Sequence, residues 1–368
     1  MILNFLTTIN IPHITSIVYS ISLSLLGITS IVVFHEFGHF IFCKLFKVYT
    51  PTFSIGIGKK LYSKMIGDTN FCLSAGPLGG YVEIATEATN GKNGFNSINY
   101  LQKFLIMLGG ICFNMLFAYM AFSLLFFIGM PDSAFMPYEN TTPTVSIVTD
   151  TSVNYNVVMP GDIIISMNDH AIDNKAETIK EVMNKTIADN ETEIKAIIQR
   201  GNQEQAIILH LNHDKKPMTI EQRLEVSLER KAPLSIFASI SNGIMITHFY
   251  IKAIFDSMKG LLSAKNTQGL AGPIMTLASS TKIAQKGLKS LLIFLAIISI
   301  NLGIMNLLPL PIFDGGQFVI FTIETILGRE MSESVKEKIG TFSWFLILGL
   351  MVIFSIKDIY ILVHQYLL

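Results

Sequence analysis

Residues 14–34, ITSIVYSISLSLLGITSIVVF, contain no charged side chain and run directly into HEFGHFIFC at residues 35–43. About 20 mostly apolar residues are enough to cross a bilayer, so the first run predicts a membrane span. The polar cluster His35-Glu36-Phe37-Gly38-His39 then sits at its end. Ionisable groups at that depth are costly, roughly 2.5–3.5 kcal/mol each on insertion scales, and need a reason to be there. Helix geometry supplies one. Residues i and i+4 share a helix face, so His35 and His39 can hold one zinc ion between them, and Glu36 can reach the water that the ion activates. Glu36 is then the candidate catalytic base.

Outward from this stretch, the composition is that of a membrane protein. Half of the 368 residues are hydrophobic and 15% are charged, where a soluble domain carries about 25% charge. Lys and Arg total 27 and so do Asp and Glu. A zero net charge argues against a nucleic-acid partner. Cys43, Cys72 and Cys112 lie in or beside apolar runs without a CxxC pair, so they read as buried structural thiols rather than as a disulfide or metal set. Further spans are expected at about residues 104–130, 291–313 and 339–356. The first run has no Lys or Arg ahead of it and exceeds a signal-peptide core in length, so it reads as a retained span.

Between the first two spans, residues 48–102 form a polar loop. Phe53, Ile55 and Ile57 alternate with small residues there, which predicts strands. Lysines outnumber acidic residues in this loop, and the positive-inside rule places it on the cytoplasmic side. Residues 131–231 change character: charge rises, and the apolar runs VSIV, DIIISM, EIKAIIQR and QAIILHL are short. They predict an exported domain of strands with one helix at about residues 175–186. The stretch 232–251 lacks Lys, Arg, Asp and Glu but holds several Ser residues, Asn242, Thr247 and His248. It reads as an amphipathic or interfacial helix. The expected division is therefore 1–130, 131–231, 232–287 and 288–368.

A zinc ion of catalytic type takes three protein ligands. None of the six other histidines has a convincing context, and the better candidate is Asp314 in NLLPLPIFDGGQ, residues 306–317. Pro309 and Pro311 remove backbone donors, and unwound backbone at membrane depth is tolerated where it is buried or lines a wet cavity. Topology agrees. Spans one and three end on the same face only when 232–251 does not cross.

These residues together resemble the site-2 proteases, in particular the bacterial regulator-of-sigma-E-protease type. HEFGH matches that family's metal motif, and the NxxPxPxxDGG of residues 306–316 matches its second. FSIGIGKK (53–60), PLGGYV (77–82) and AGPI (271–274) are similar to further family segments. The resemblance implies a polytopic α-helical membrane protein with about four transmembrane helices, a membrane-associated β segment and one exported PDZ-like α/β domain, the last on MPGDIIISMNDHAI at residues 159–172. It implies Zn2+ on His35, His39 and Asp314, Glu36 as base, and substrate contacts at Asn306, Pro309, Pro311, Gly79 and Gly80. It further implies single-span membrane proteins as substrates, in a bacterial inner membrane, within regulated proteolysis or the removal of signal-peptide remnants. In span two the family's AGPxxN becomes Gly109-Gly110-Ile111-Cys112-Phe113-Asn114. A catalytically inactive PDZ-bearing scaffold would have lost Glu36 or a ligand, and a metal transporter would tend to show repeated halves. All four site residues are present and no internal repeat is visible.

Overall fold

The computed structural model describes residues 11–89, 91–131, 141–172, 176–189, 191–212, 220–230, 232–262 and 272–367. Lys175, His213 and Ala271, which carry parts of the expectations above, lie outside the described residues. The chain divides into two compact units, residues 1–124 with 236–368, and residues 125–235.

The first unit is helical around a small sheet. Helix α1 (Ile11–Leu45) precedes strands β1 (Thr52–Ile66) and β2 (Thr69–Val82), and α2 (Tyr100–Ile128) follows. After the second unit come α5 (Ile236–Leu262), α6 (Pro273–Gln285), α7 (Leu288–Met305), α8 (Asp314–Leu327) and α9 (Glu333–Leu367). Among the described residues, four helices are long and apolar enough to cross a membrane: residues 15–45, 100–128, 288–305 and 333–364. Helix α5 is not among them. Within α1 the hydroxyls of Ser20 and Ser24 donate to the carbonyls four residues back, Ser16 and Ser20, at 2.9 and 2.8 Å. That satisfies them without water, as lipid requires.

Several expected boundaries shift. The HEFGH cluster lies inside α1, with eleven helical residues after Phe34 and Leu45 as the last residue, rather than at the end of a span. The third span stops at Met305, not at residue 313, because Asn306–Phe313 turns and a separate helix begins at Asp314. Cys43 and Cys72 are buried, but Cys112 is exposed on α2, which corrects the reading of three buried thiols. An apolar neighbourhood in sequence does not say which side of a helix a residue occupies.

Strands β1 and β2 are long and bent, and so they pair more than once. Lys60–Ile66 forms a hairpin with Thr69–Ser74, with Lys60 opposite Ser74 and Ile66 opposite Thr69. The earlier part of β1 lies between two parts of β2: Phe53 faces both Phe71 and Val82, and Ile55 faces both Leu73 and Gly80. The order across the sheet is therefore 60–66, 69–74, 52–55, 80–82. Gly56 and Gly58 allow the bend, with φ of 84° and 92° that a side chain would strain. The last segment runs beside α1, where the Thr29 hydroxyl donates to the Pro77 carbonyl and Gly80 lies against Val33.

The second unit has a six-stranded sheet. Its strands are β3 (Thr141–Val148), β4 (Ile163–Met167), β5 (His170–Ala171), β6 (Glu193–Arg200), β7 (Gln203–His210) and β8 (Val226–Arg230). The order is β7-β6-β4-β3-β8, with β5 on β4. Helices α3 (Ala176–Ala188) and α4 (Ile220–Leu224) complete it. Ile164, Met167, Ile179, Ile194, Ile198 and Leu209 fill its core. The four apolar runs read from the sequence fall in β3, β4, β6 and β7. Strand β8 and helix α4 were not anticipated.

Candidate metal centre

The centre forms where α1 crosses α2. Gly38 and Gly109 face each other so closely that a Cβ on either would overlap the other's backbone. A Cβ on Gly110 would overlap the rings of His35 and His39. Small residues let membrane helices approach, and here the approach brings α2 over the two imidazoles. The pair Gly109-Gly110 is what makes room.

Asp314 is the first residue of α8, where a carboxylate suits the helix dipole. The turn before it is held by its own backbone. Gly315 N–H donates to the Asn306 carbonyl at 2.7 Å, and the Gln317 amide donates to the Pro311 carbonyl at 2.6 Å. A Cβ on Gly315 would overlap the Leu307 carbonyl. Asn306 is buried, and its side-chain nitrogen donates to the Leu302 carbonyl at 3.0 Å. Asn306, Pro309 and Pro311 thus build the turn that presents Asp314.

His35, His39 and Asp314 converge. His35 Nε2 and His39 Nε2 are 3.2 Å apart. Asp314 Oδ2 is 3.3 Å from the first and 3.4 Å from the second. Both histidines are buried. Four-coordinate tetrahedral zinc with bonds of about 2.0–2.1 Å holds neighbouring ligand atoms about 3.3–3.4 Å apart. The three measured separations are the three edges of such a site, so the residues fit a zinc ion.

Tautomers point the same way. His39 Nδ1 donates to the Ile106 carbonyl at 2.7 Å, which leaves Nε2 as a lone pair. The Asn114 amide lies 3.0 Å from His35 Nδ1. Ser299 Oγ donates to the Asn114 carbonyl at 2.9 Å and lies 3.4 Å from its side-chain amide. Asn114 Nδ2 faces the ring and its Oδ1 accepts from Ser299 Oγ; the two amide atoms exchange by a flip, and with the oxygen turned to the ring His35 Nδ1 donates to Asn114 and the amide nitrogen donates to Ser299. Three acceptor atoms then face one another in a buried space, and among the described residues Asp314 Oδ2 has no hydrogen-bond donor. A bound cation makes that arrangement favourable.

Glu36 points elsewhere on α1. Its Oε2 accepts the Val82 N–H at 3.1 Å, which ties the carboxylate to the end of β2. Gly79, at φ 91°, and Gly80 belong to the same edge segment of β2. Four participants were not read from the sequence as part of the site: Asn114, Ser299, the Ile106 carbonyl and the Val82 N–H. Asn114 did leave a signal, as the one amide within a 29-residue apolar helix after its first turn.

Membrane-length helices that enclose a buried His-His-Asp cluster, with a glutamate beside it, define the class of membrane metalloproteases. The chain belongs to peptidase family M50, the site-2 proteases, whose model matches residues 23–350. It is 27% identical over 349 residues to a Fusobacterium nucleatum protein named a putative zinc metalloprotease, covering 93% of this chain and 98% of that one. A Clostridium perfringens protein of the same description is 28% identical over 343 residues, 91% and 97% of the two chains. One from Helicobacter pylori is 29% identical over 310 residues, 77% and 83%. The protein is a multi-pass membrane zinc metalloprotease.

Proposed function

We propose that the chain is an intramembrane endopeptidase, which hydrolyses peptide bonds in or near the transmembrane segments of single-span membrane proteins. The observation that carries this reading is the spacing of His35, His39 and Asp314, edges of one tetrahedron set within and beside membrane-length helices. These three are the zinc ligands. Bound zinc supplies a Lewis acid that polarises a carbonyl and lowers the pKa of water to about 7. Asn114 and the Ile106 carbonyl fix the two imidazoles so that their Nε2 atoms face the site. Glu36 takes a proton from the attacking water and delivers it to the leaving amine. Its bond to Val82 N–H places the carboxylate between α1 and the edge of β2.

A substrate helix has to open before its peptide bonds are exposed, and an open sheet edge can pair with the freed strand. The segment Gly79–Val82 is the edge for that pairing, and the turn with Asn306, Pro309 and Pro311 bounds the other side of the site. The role is the second cut of a regulated cascade, such as release of a transcription factor by cleavage of its membrane-bound inhibitor, or clearance of signal-peptide remnants. The positive-inside rule places the β1–β2 loop in the cytoplasm of a bacterial inner membrane, with a PDZ-like second unit on the exported side.

The test is cleavage of a single-span reporter by the purified protein in detergent. Wild type cleaves, chelation abolishes cleavage and added zinc restores it. Glu36→Gln binds zinc stoichiometrically and does not cleave. Cleavage by Glu36→Gln at the wild-type rate would remove Glu36 from the mechanism.

A further inference from the structure

Strand β1 starts seven residues after the last residue of α1, and its second half turns back into β2 as a hairpin at the edge of the sheet. Every residue from Ile57 to Gly67 is exposed. This run contains Ile57, Leu61, Tyr62, Met65 and Ile66, each between 54% and 65% exposed. It also contains Lys59, Lys60 and Lys64 and no acidic residue. Residues 60–66 form the outer strand of the sheet, so both their faces and one edge lack a covering element. None of the three lysines has an ion pair among the described residues. Asp68, in the turn of the hairpin, pairs with Lys44 and Lys92, so it does not neutralise them.

Lysines alone on an edge strand would serve to prevent edge-to-edge pairing. That role does not account for five large apolar side chains left exposed on the same eleven residues, which in water would undo the protection. A bilayer interface satisfies both sets. The apolar side chains and the Tyr62 ring enter the headgroup region, and the long lysine stems carry their ammonium groups out to it. Zwitterionic headgroups would accept the apolar part but give three unpaired ammonium groups no advantage. Anionic headgroups do.

We propose that the hairpin of residues 57–67 is a binding surface for anionic phospholipid headgroups. Lys59, Lys60 and Lys64 bind the phosphates, and Leu61, Tyr62, Met65 and Ile66 seat in the interface beside them. The surface is distinct from the metal centre, and Ile57 at its base lies against Gly79 of the opposite edge segment. It ties the sheet to the lipid composition of one leaflet.

The chain has a single tryptophan, Trp344, which allows a local test in the full-length protein. In a Trp344→Phe background, Tyr62→Trp places an indole on the hairpin. The protein is reconstituted into phosphatidylcholine vesicles with equal fractions of either brominated phosphatidylglycerol or brominated phosphatidylcholine. Stronger quenching by the anionic lipid is expected. The preference should fall by about fivefold for each lysine changed to Gln. Equal quenching by the two lipids, or no quenching, overturns the proposal, and so does a preference that survives loss of all three lysines. A second measurement needs no tryptophan variant: the ratio of phosphatidylglycerol to phosphatidylcholine that copurifies from mixed vesicles. It should exceed the vesicle ratio for wild type and approach it for Lys59→Gln/Lys60→Gln/Lys64→Gln. Equal ratios for the two proteins overturn the proposal.

Discussion

Asn114 is fully buried on an apolar helix, and its side chain meets His35 on one side and Ser299 on the other. A ligating histidine needs a partner on its other nitrogen to fix the tautomer, and loss of such a partner typically weakens metal binding 10–100-fold. Asn114→Ala should therefore weaken zinc binding by about that factor while leaving the ligands in place. Competition against a chromophoric chelator measures it, and unchanged affinity would show that His35 is oriented by packing alone. Glu36→Gln makes the opposite pair of outcomes, full zinc and no cleavage. The contrast explains what was legible. His35, Glu36 and His39 lie within five residues, so helix periodicity alone puts them in register, and Asp314 carried its own signal in the Pro and Gly around it. Asn114 is 79 residues from His35. Its role depends on how closely α2 approaches α1, which Gly38, Gly109 and Gly110 decide, and nothing local to Asn114 reports that distance.

Elements show the same division. The four spans were legible because length and apolarity are summed over many residues, whereas their ends were not, because ends are set by tertiary contacts. Helix α9 is an example. Asp358 interrupts its apolar run and reads locally as the end of the span. It is in fact 1% exposed and accepts the backbone N–H of Gly272 at 3.1 Å and of Met275 at 2.8 Å. A side chain from the last helix thus caps the start of α6, 83 residues earlier. Truncation in Asp358→Ala leaves those donors unpaired, at about 1–3 kcal/mol each when buried, and should lower the thermal midpoint in detergent. Asp358→Asn, which retains one acceptor, should recover part of the loss. Equal midpoints for all three proteins would mean that water replaces the carboxylate. The double pairing of β1 and β2 was equally invisible. Alternation announces a strand but does not say how many partners it has.

Charge pairs within the second unit give a test at the scale of a whole unit. Burial raises the Asp162 carboxyl, but hydrogen bonds from Arg200 and the Met159 N–H outweigh it, and the group stays below its ordinary value. A folded-state pKa below the unfolded one stabilises the unit above the unfolded pKa, about 3.9, and that contribution is lost as pH falls through the lower, folded value. Resistance to pepsin in residues 141–230 should decline below about pH 4, and Arg200→Gln should make the unit less resistant at neutral pH and flatten this dependence. A wild-type profile that Arg200→Gln leaves unaltered would remove the pair from the unit's acid response.

At the scale of the molecule, every group placed at the metal centre belongs to the first unit. His35, Glu36, His39, Val82, Ile106 and Asn114 precede residue 125, and Ser299 and Asp314 follow residue 235. The second unit begins within the last turn of α2, at Leu125, and ends at Ser235, before α5, with its own core and sheet. Metal binding and the second unit are therefore separable. Replacement of residues 131–231 by a flexible Gly/Ser linker should leave zinc stoichiometry at one and its affinity within about threefold of wild type, since no ligand, ligand-orienting group or crossing glycine is touched. Cleavage is the informative second readout. If the second unit restricts which substrates reach the site, the deletion should raise the rate on a reporter with a bulky exported part more than on a trimmed one. If the unit instead captures substrate, both rates should fall together. Loss of zinc from the deleted protein would show that the helical unit does not hold the centre by itself, and would overturn the separation.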